Sequence, residues 1–391
     1  MKHHFTPKPK KRILVLVETS RTFCCQIIEG VNRFALGQKE WMLVLEDRGP
    51  NDPEPSILRR TPCDGIIART ATIPMFNAIR KPTVPVIELL GDGSQPDIQN
   101  DYEAVARLAS VHFQERGLSH FAYFSAGHCW WSRELSEAFR QQCQQNGTEC
   151  RICPTESSAN SVSLPVNVDI RSEKQIGQWL KSLPKPIGIL CPEDGHAICL
   201  LNICRSKGIS VPFEAAVLGL GNNDTLCNAT TPRLSSVAID GHRIGYRAAE
   251  LLHKKMNGLF VSGTPQKIPP LYISTRHSTD FVAVDHEDIR NALQYVSDHL
   301  ADRFTLEHLA RHIGISKRSL IRRFQDFLGH PPEKEIHMIR MNRAKELLVE
   351  TDLSVAQIGR NVGYGTSEYF IRIFHRQFGV TPNLFRKSSK Q

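Results

Sequence analysis

Nothing in these 391 residues approaches the ~18 consecutive apolar residues that a membrane-crossing helix needs, so no membrane partner is expected. No signal peptide is expected either, because the apolar run after the basic segment Lys8 to Arg12 is only a strand long. Cysteine is absent beyond Cys227: all eleven lie between Cys24 and Cys227. An odd number scattered through the chain argues against a disulfide framework and for reduced, buried thiols in the cytoplasm. Cys150-Arg-Ile-Cys153 has the C-x-x-C spacing of zinc and redox sites, yet no second ligand pair accompanies it, and no metal is expected. The chain also lacks G-x-S-x-G, H-E-x-x-H and a P-loop, which leaves a hydrolase without a motif. Gly219-Leu-Gly221 follows a strand, but no third glycine opens a helix as a pyrophosphate site requires. Neither a cofactor nor an enzymatic activity is therefore expected.

A charge excess is also missing from the long middle of the chain. Residues 13–285 hold 27 basic and 28 acidic side chains, residues 1–12 hold five basic and no acidic ones, and residues 286–391 hold 17 basic against 12 acidic. The net charge of +9 thus sits at the two ends, where phosphate contacts belong. Hydrophobic residues at 40% and charged residues at 23% exclude a disordered chain, although residues 1–12 read as a basic tail. The length suffices for two or three domains, each with its own core.

Between Thr305 and Arg386 one short folding pattern occurs twice. Leu306, Leu309, Ala310 and Ile313 fall on one helical face, Gly314 turns, Ser316 caps a second helix with Leu320, Phe324 and Leu328 inside, and Gly329 ends it. About fifty residues on, Ser354 caps Val355 to Val362, Gly363 turns, Thr366 caps a helix with Phe370 and Phe374 inside, and Gly379 ends it. Two helix-turn-helix motifs are expected, at 306–329 and 355–379. The first leaves Lys317, Arg318, Ile321 and Arg322 facing outward at the start of its second helix; the second leaves Ser367, Glu368, Ile371 and Arg372. That end of a helix-turn-helix enters the major groove, where arginine reaches guanine and glutamate accepts from cytosine. The expected partner is double-stranded DNA at a promoter or operator. Glu333 to Glu350 reads as one amphipathic connecting helix with Ile336, Ile339, Ala344, Leu347 and Leu348 on its apolar side, about 25 Å long.

Upstream the periodicity changes. Short apolar runs at Ile13–Val17, Met42–Leu45, Gly65–Ala68, Val86–Leu89, Phe121–Phe124, Ile187–Leu190 and Ala216–Leu220 alternate with helical stretches. Such alternation predicts an α/β domain of doubly wound parallel sheets, followed by an all-α domain. Ligands in these folds bind beyond the carboxyl ends of the strands. There stand Glu18, Ser20 and Arg21; Glu46 and Asp47; Trp131 and Arg133; Asp194; Asn222 and Asn223. Carboxylates, amides, arginine and an indole face suit a polyhydroxylated ligand, because each hydroxyl donates and accepts while an apolar sugar face stacks on a ring.

Two resemblances carry these readings further. Arg343-Ala344, Leu347-Leu348, Ile358, Gly363-Tyr364, Tyr369-Phe370, Phe374, Phe378-Gly379, Thr381-Pro382 and Phe385-Arg386 resemble the AraC-type DNA-binding domain, with Gly365 as one extra turn residue. The strand and helix order before it, with Ala197 after Asp194 and Val217 to Leu220 before Asn222, resembles the effector domain of LacI-type repressors, related to periplasmic sugar-binding proteins. Joined in this order, the two resemble the xylose-operon activators, as do Glu29-Gly30-Val31, Gly245-Tyr246 and Ile268-Pro269-Pro270. That resemblance implies a two-lobed effector domain over 13–278, a linker over 279–288 and a DNA-binding domain over 289–391. It also implies a sugar effector, contact with RNA polymerase and a homodimer. At two positions the chain departs from the family's pattern: an arginine of the second lobe falls at Leu135 and an acid after a later strand falls at Gly221. Activation or repression, and pentose or other ligand, stay open on the sequence.

Overall fold

The structure, a computed structural model, describes residues 10–19, 21–38, 40–47, 49, 57, 61–69, 84–90, 96–125, 130–154, 170–280 and 286–389. Its chain divides into two compact units, Met1–Val282 and Ala283–Gln391.

The first unit alternates strands and helices. In order they are β1 (Lys11–Leu16), α1 (Thr22–Gly37), β2 (Trp41–Leu45), β3 (Gly65–Arg69), β4 (Val86–Leu89), β5 (Ile98–Asn100), α2 (Tyr102–Gln114), β6 (His120–Tyr123), α3 (Trp130–Gln145) and β7 (Cys150–Ile152). There follow α4 (Ile170–Ser182), β8 (Ile187–Leu190), α5 (Asp194–Ser206), β9 (Ala215–Leu220), α6 (Asp224–Ala229), β10 (Ser235–Ala238), α7 (Gly241–Met256), β11 (Gln266–Ile268) and β12 (Tyr272–Ser274). Among the described residues they form two six-stranded sheets, ordered β11-β5-β4-β3-β1-β2 and β12-β10-β9-β8-β6-β7. Every pairing is parallel except β10 with β12. The doubly wound architecture is present as two lobes. Strands β3, β8 and β9 are buried at every position, which is why they read as unbroken apolar runs. Strands β5, β7, β10, β11 and β12 span only three or four residues and show no such run.

The chain crosses between lobes three times, from β5 to α2, from β10 to α7 and from β11 to β12. Backbone hydrogen bonds tie the crossings together: Asp101 donates to Ile268 O at 2.8 Å and Leu271 to Ala238 O at 2.8 Å. Helices α1 and α7 pack on the first sheet at backbone contact. A Cβ on Gly30 would run into His242 O, and one on Gly245 into Ile27 O, so both positions need glycine. Cys150 and Cys153 are buried, Cys153 in the apolar core of the second lobe.

The second unit is helical: α8 (Glu287–Asp298), α9 (Leu306–His312), α10 (Lys317–Leu328), α11 (Pro332–Glu350), α12 (Val355–Asn361), α13 (Ser367–Phe378) and α14 (Pro382–Ser389). The expected punctuation is there. Ser316 accepts from Ser319 N, Ser354 and Gln357 form a capping box, Thr366 accepts from Tyr369 N, and Gly314, Gly329, Gly363 and Gly379 all take positive φ. One expectation needs correction. Helix α11 has no single apolar side, because it packs on both motifs: Met341, Ala344, Leu347 and Leu348 enter the core with Ile358, Phe370 and Phe374, whereas Ile336 is buried outside that cluster and Ile339 is only half-buried. Two partners on two sides spread apolar residues around the helix.

Candidate effector site and nucleic-acid interface

The carboxyl ends of the strands of both lobes meet at one cavity of about 120 Å³. That is several times the roughly 10–15 Å³ a single water needs, so the cavity has room for a small ligand.

On the first lobe, Arg69 ends β3 and pairs with Glu18, which follows β1; Arg69 is 5% exposed and Glu18 1%. Burial pushes the Glu18 carboxyl up, but the charges of Arg69 and then Arg21 outweigh it, and it stays below its ordinary value. The Cys24 thiol lies 3.5 Å from both partners and is pushed up to about 12 by burial. A buried ion pair of this kind keeps its guanidinium charged and fixed in the wall of the cavity. Asn100 and Tyr102, either side of the first crossing, also line it, and the Asn100 Oδ1 is buried without a hydrogen bond.

On the second lobe, Asp194 opens α5 and is 5% exposed. Ser236 Oγ donates to its Oδ1 at 2.5 Å and Asn223 N to its Oδ2 at 2.8 Å. Burial nevertheless raises it to about 6. Its carboxylate stands where Gly219 and Gly221 have no side chains: a Cβ on Gly219 would strike Oδ1, and Gly221 has φ +121°. The lobes touch through Arg21 and Glu193, Nη1 to Oε1 2.9 Å, each 19% exposed, and both line the cavity.

Of the residues expected from the strand ends, the structure thus brings together Glu18, Arg21, Asp194 and Asn223. Asn222 lies beside them with φ +49°; its N–H donates to Ser236 Oγ at 3.0 Å and its Oδ1 is buried without a hydrogen bond. Glu46, Asp47 and Arg133 do not line the cavity; Asp47 accepts from Thr19, and Arg133 is exposed on α3 two residues before the buried Leu135. Ser20 and the side chain of Trp131 lie outside the described residues. Arg69, Asn100 and Tyr102 were not among the expected residues. Arg69 had a signal, the strand Gly65–Ala68 directly before it; Asn100 ends a strand too short to register.

A buried polar cluster holds the end of this unit. Thr279, fully buried, bonds to His112 Nε2 at 2.8 Å and to Ser235 Oγ at 2.7 Å, and its carbonyl accepts from Arg116 Nε at 2.6 Å. Ser278 Oγ donates to Val217 O at 2.6 Å. Thr279 is therefore packed against the effector domain. Next to Ser235 stands Ser236, the partner of Asp194, and α2, which carries His112, begins at the cavity residue Tyr102.

In the helical unit, Lys317, Arg318, Arg322, Glu368 and Arg372 are exposed, and Ile321, Ser367 and Ile371 are half-buried. All eight lie on the first two turns of α10 and α13, as a groove-reading face requires. Lys317 Nζ is 2.7 Å from Glu307, whose carboxyl it holds down at about 2, and Arg372 lies over the Tyr369 ring at 5.3 Å. Arg318 and Arg322 make no ion pair among the described residues.

Comparison with known proteins agrees with the fold of both units. A periplasmic binding protein-like domain matches residues 111–279, and a helix-turn-helix domain matches residues 309–388. The xylose operon regulatory protein of Haemophilus influenzae is 30% identical over 386 residues, covering 96% of this chain and 98% of its own. The chain belongs to the xylose operon regulatory protein family. The Escherichia coli K12 member is 27% identical over 391 residues, covering 96% of this chain and 97% of its own. The solved structure of a xylose-binding transcription activator has the same fold, with a TM-score of 0.81 at 24% identity over 97% of this chain and 99% of that one. This regulator is accordingly a sugar-responsive, DNA-binding transcription regulator with a periplasmic-binding-like effector domain and an AraC-type helix-turn-helix domain. Among the described residues no helix is long and apolar enough to cross a membrane.

Proposed function

We propose that this regulator binds D-xylose or a closely related pentose in the cleft between its lobes and then activates genes of pentose use. The observation that carries the reading is Asp194, a carboxylate held by Ser236 and Asn223 in the wall of the cavity between the lobes. An ionised carboxylate accepts from two sugar hydroxyls at once, and Arg21 and Arg69 donate from the opposite lobe. The names of its relatives support the choice of sugar. The sugar is bound and released unchanged, with no enzymatic step. The regulator works in the cytoplasm as a homodimer, because one pair of helix-turn-helix motifs supplies few of the contacts a specific site needs, and at the promoter it recruits RNA polymerase.

A thermal-shift series with D-xylose, L-arabinose, D-ribose, D-glucose and a hexuronic acid tests the ligand, since a sugar that binds only the native state raises the melting temperature. D-xylose is expected to give the largest shift, and to be recovered unaltered after incubation. A larger shift with a hexose, or a product peak in the recovered sugar, refutes the reading.

A further inference from the structure

Arg340 stands midway along α11, where the two helix-turn-helix motifs meet. Its Nη2 donates to Asp302 O at 2.8 Å, and its guanidinium carbon lies 5.2 Å from the centre of the Phe304 ring. Asp302 and Phe304 belong to the loop that leads into α9, the first helix of the first motif. The other side of the same guanidinium faces Gly363, the turn of the second motif: a Cβ there would lie 2.7 Å from Arg340 Cζ and 2.5 Å from Leu300 O. Gly365, the extra turn residue, abuts the Arg303 guanidinium from the same loop. Tyr364 between them is held from α11 as well, its hydroxyl 2.8 Å from His337 Nδ1.

The two motifs are thus joined twice. One joint is α11 itself, whose buried residues divide into a group packed in the core of the second motif and Ile336 outside it. A lone helix with separate attachments at its ends is free to bend or roll between them. The second joint is the contact of the 300–304 loop and Arg340 with the glycine turn, which turns a hinged pair into a braced one. A planar guanidinium suits this place, since it donates in its plane and stacks over its face at the same time. Glycine at 363 serves it twice, by taking φ +78° and by leaving room for the guanidinium.

We propose that Arg340 is a positioning residue for DNA recognition: it braces the two motifs so that α10 and α13 read their half-sites in one fixed helical phase. It touches no base itself. The brace accounts for the extra residue in the turn of the second motif, since Gly363-Tyr364-Gly365 has the loop and α11 to meet, whereas Gly314 in the first has open space around it.

The test uses the full chain and an operator selected from random-sequence duplexes. Affinity is measured for that duplex and for one whose second half-site is scrambled, at several salt concentrations. For Arg340→Ala the ratio of the two affinities is expected to fall by about tenfold, the size of a coupling between contacting groups. Affinity for the scrambled duplex and the salt slope stay unchanged, because no phosphate contact is lost. Gly363→Ala, which attacks the brace from the other side, should give the same split, and Arg340→Lys, which keeps a charge and a donor, should recover part of the ratio. Equal loss on both duplexes in these variants would mean a role in folding or phosphate binding and overturn the proposal. An unchanged ratio, or a selected operator with one half-site only, would overturn it too.

Discussion

Arg21 of the first lobe and Glu193 of the second meet across the effector cavity, Nη1 to Oε1 2.9 Å. They are 172 residues apart in the chain. An ion pair between the lobes favours the closed arrangement, and lowers the cost of closure that binding must meet. Glu193→Gln is expected to weaken D-xylose binding by roughly two- to tenfold, as a partly exposed pair is worth about 1 kcal/mol. Calorimetric titration measures it; an unchanged affinity would show that the pair contributes nothing to closure.

Acidity should act on the same cavity through Asp194. Its folded pKa of about 6 lies above the ordinary 3.8, so the folded chain holds the proton more tightly than the unfolded one. The stability this group confers is present in full below about pH 4 and is lost as pH rises through about 6. Wild type should accordingly lose melting temperature over that window relative to Asp194→Asn. Sugar binding should run the other way, weakening as pH falls from 7 to 5, because the protonated acid gives up an acceptor. Parallel pH series of melting temperature and sugar affinity decide both signs.

Thr279 is expected to carry the sugar signal out of the effector domain. It is bonded to β10 through Ser235 and to α2 through His112; β10 carries Ser236, the partner of Asp194, and α2 begins at the cavity residue Tyr102. In wild type, sugar should change operator affinity and operator should change sugar affinity by one and the same factor. Thr279→Val removes the hydroxyl at almost equal volume and should bring that factor towards one, while Thr279→Ser keeps it. A full factor in the valine variant would remove Thr279 from the route.

On the DNA side, Arg322→Ala should cost about 1–3 kcal/mol and relax preference at one base pair. Lys317→Ala should weaken all sequences alike and lower the salt slope by about one. Since Glu307 pairs with Lys317 at 2.7 Å and competes for its charge, Glu307→Gln should raise affinity for every duplex. A sequence-dependent loss in Lys317→Ala would make it a base reader instead.

Packing at the α1–α7 crossing leaves no room for a methyl group. Gly245→Ala would set its Cβ against Ile27 O, a backbone atom that cannot swing aside. A loss of at least about 1–3 kcal/mol is expected, the usual cost of overpacking. Gly37→Ala, with open space around it, serves as the control in urea denaturation.

The helix-turn-helix motifs were legible in the sequence because everything that defines them is local. Ser316 caps α10 through the backbone three residues on, Gly329 closes it, and the apolar residues between recur at helical spacing. The buried central strands were legible for the same reason, and with them the strand ends that carry Glu18, Arg21 and Asp194. What no local pattern encodes is which of those ends meet. Glu18 finds Arg69 across 51 residues and Arg21 finds Glu193 across 172, while Glu46, Asp47 and Arg133, equally polar and equally placed after strands or at helix starts, face elsewhere. Sheet order and the three crossings between lobes decide that selection. The same holds for Arg340: in sequence it is one more cation on a helix, and only the fold sets its guanidinium between Phe304 and Gly363, because both reach it from other parts of the chain.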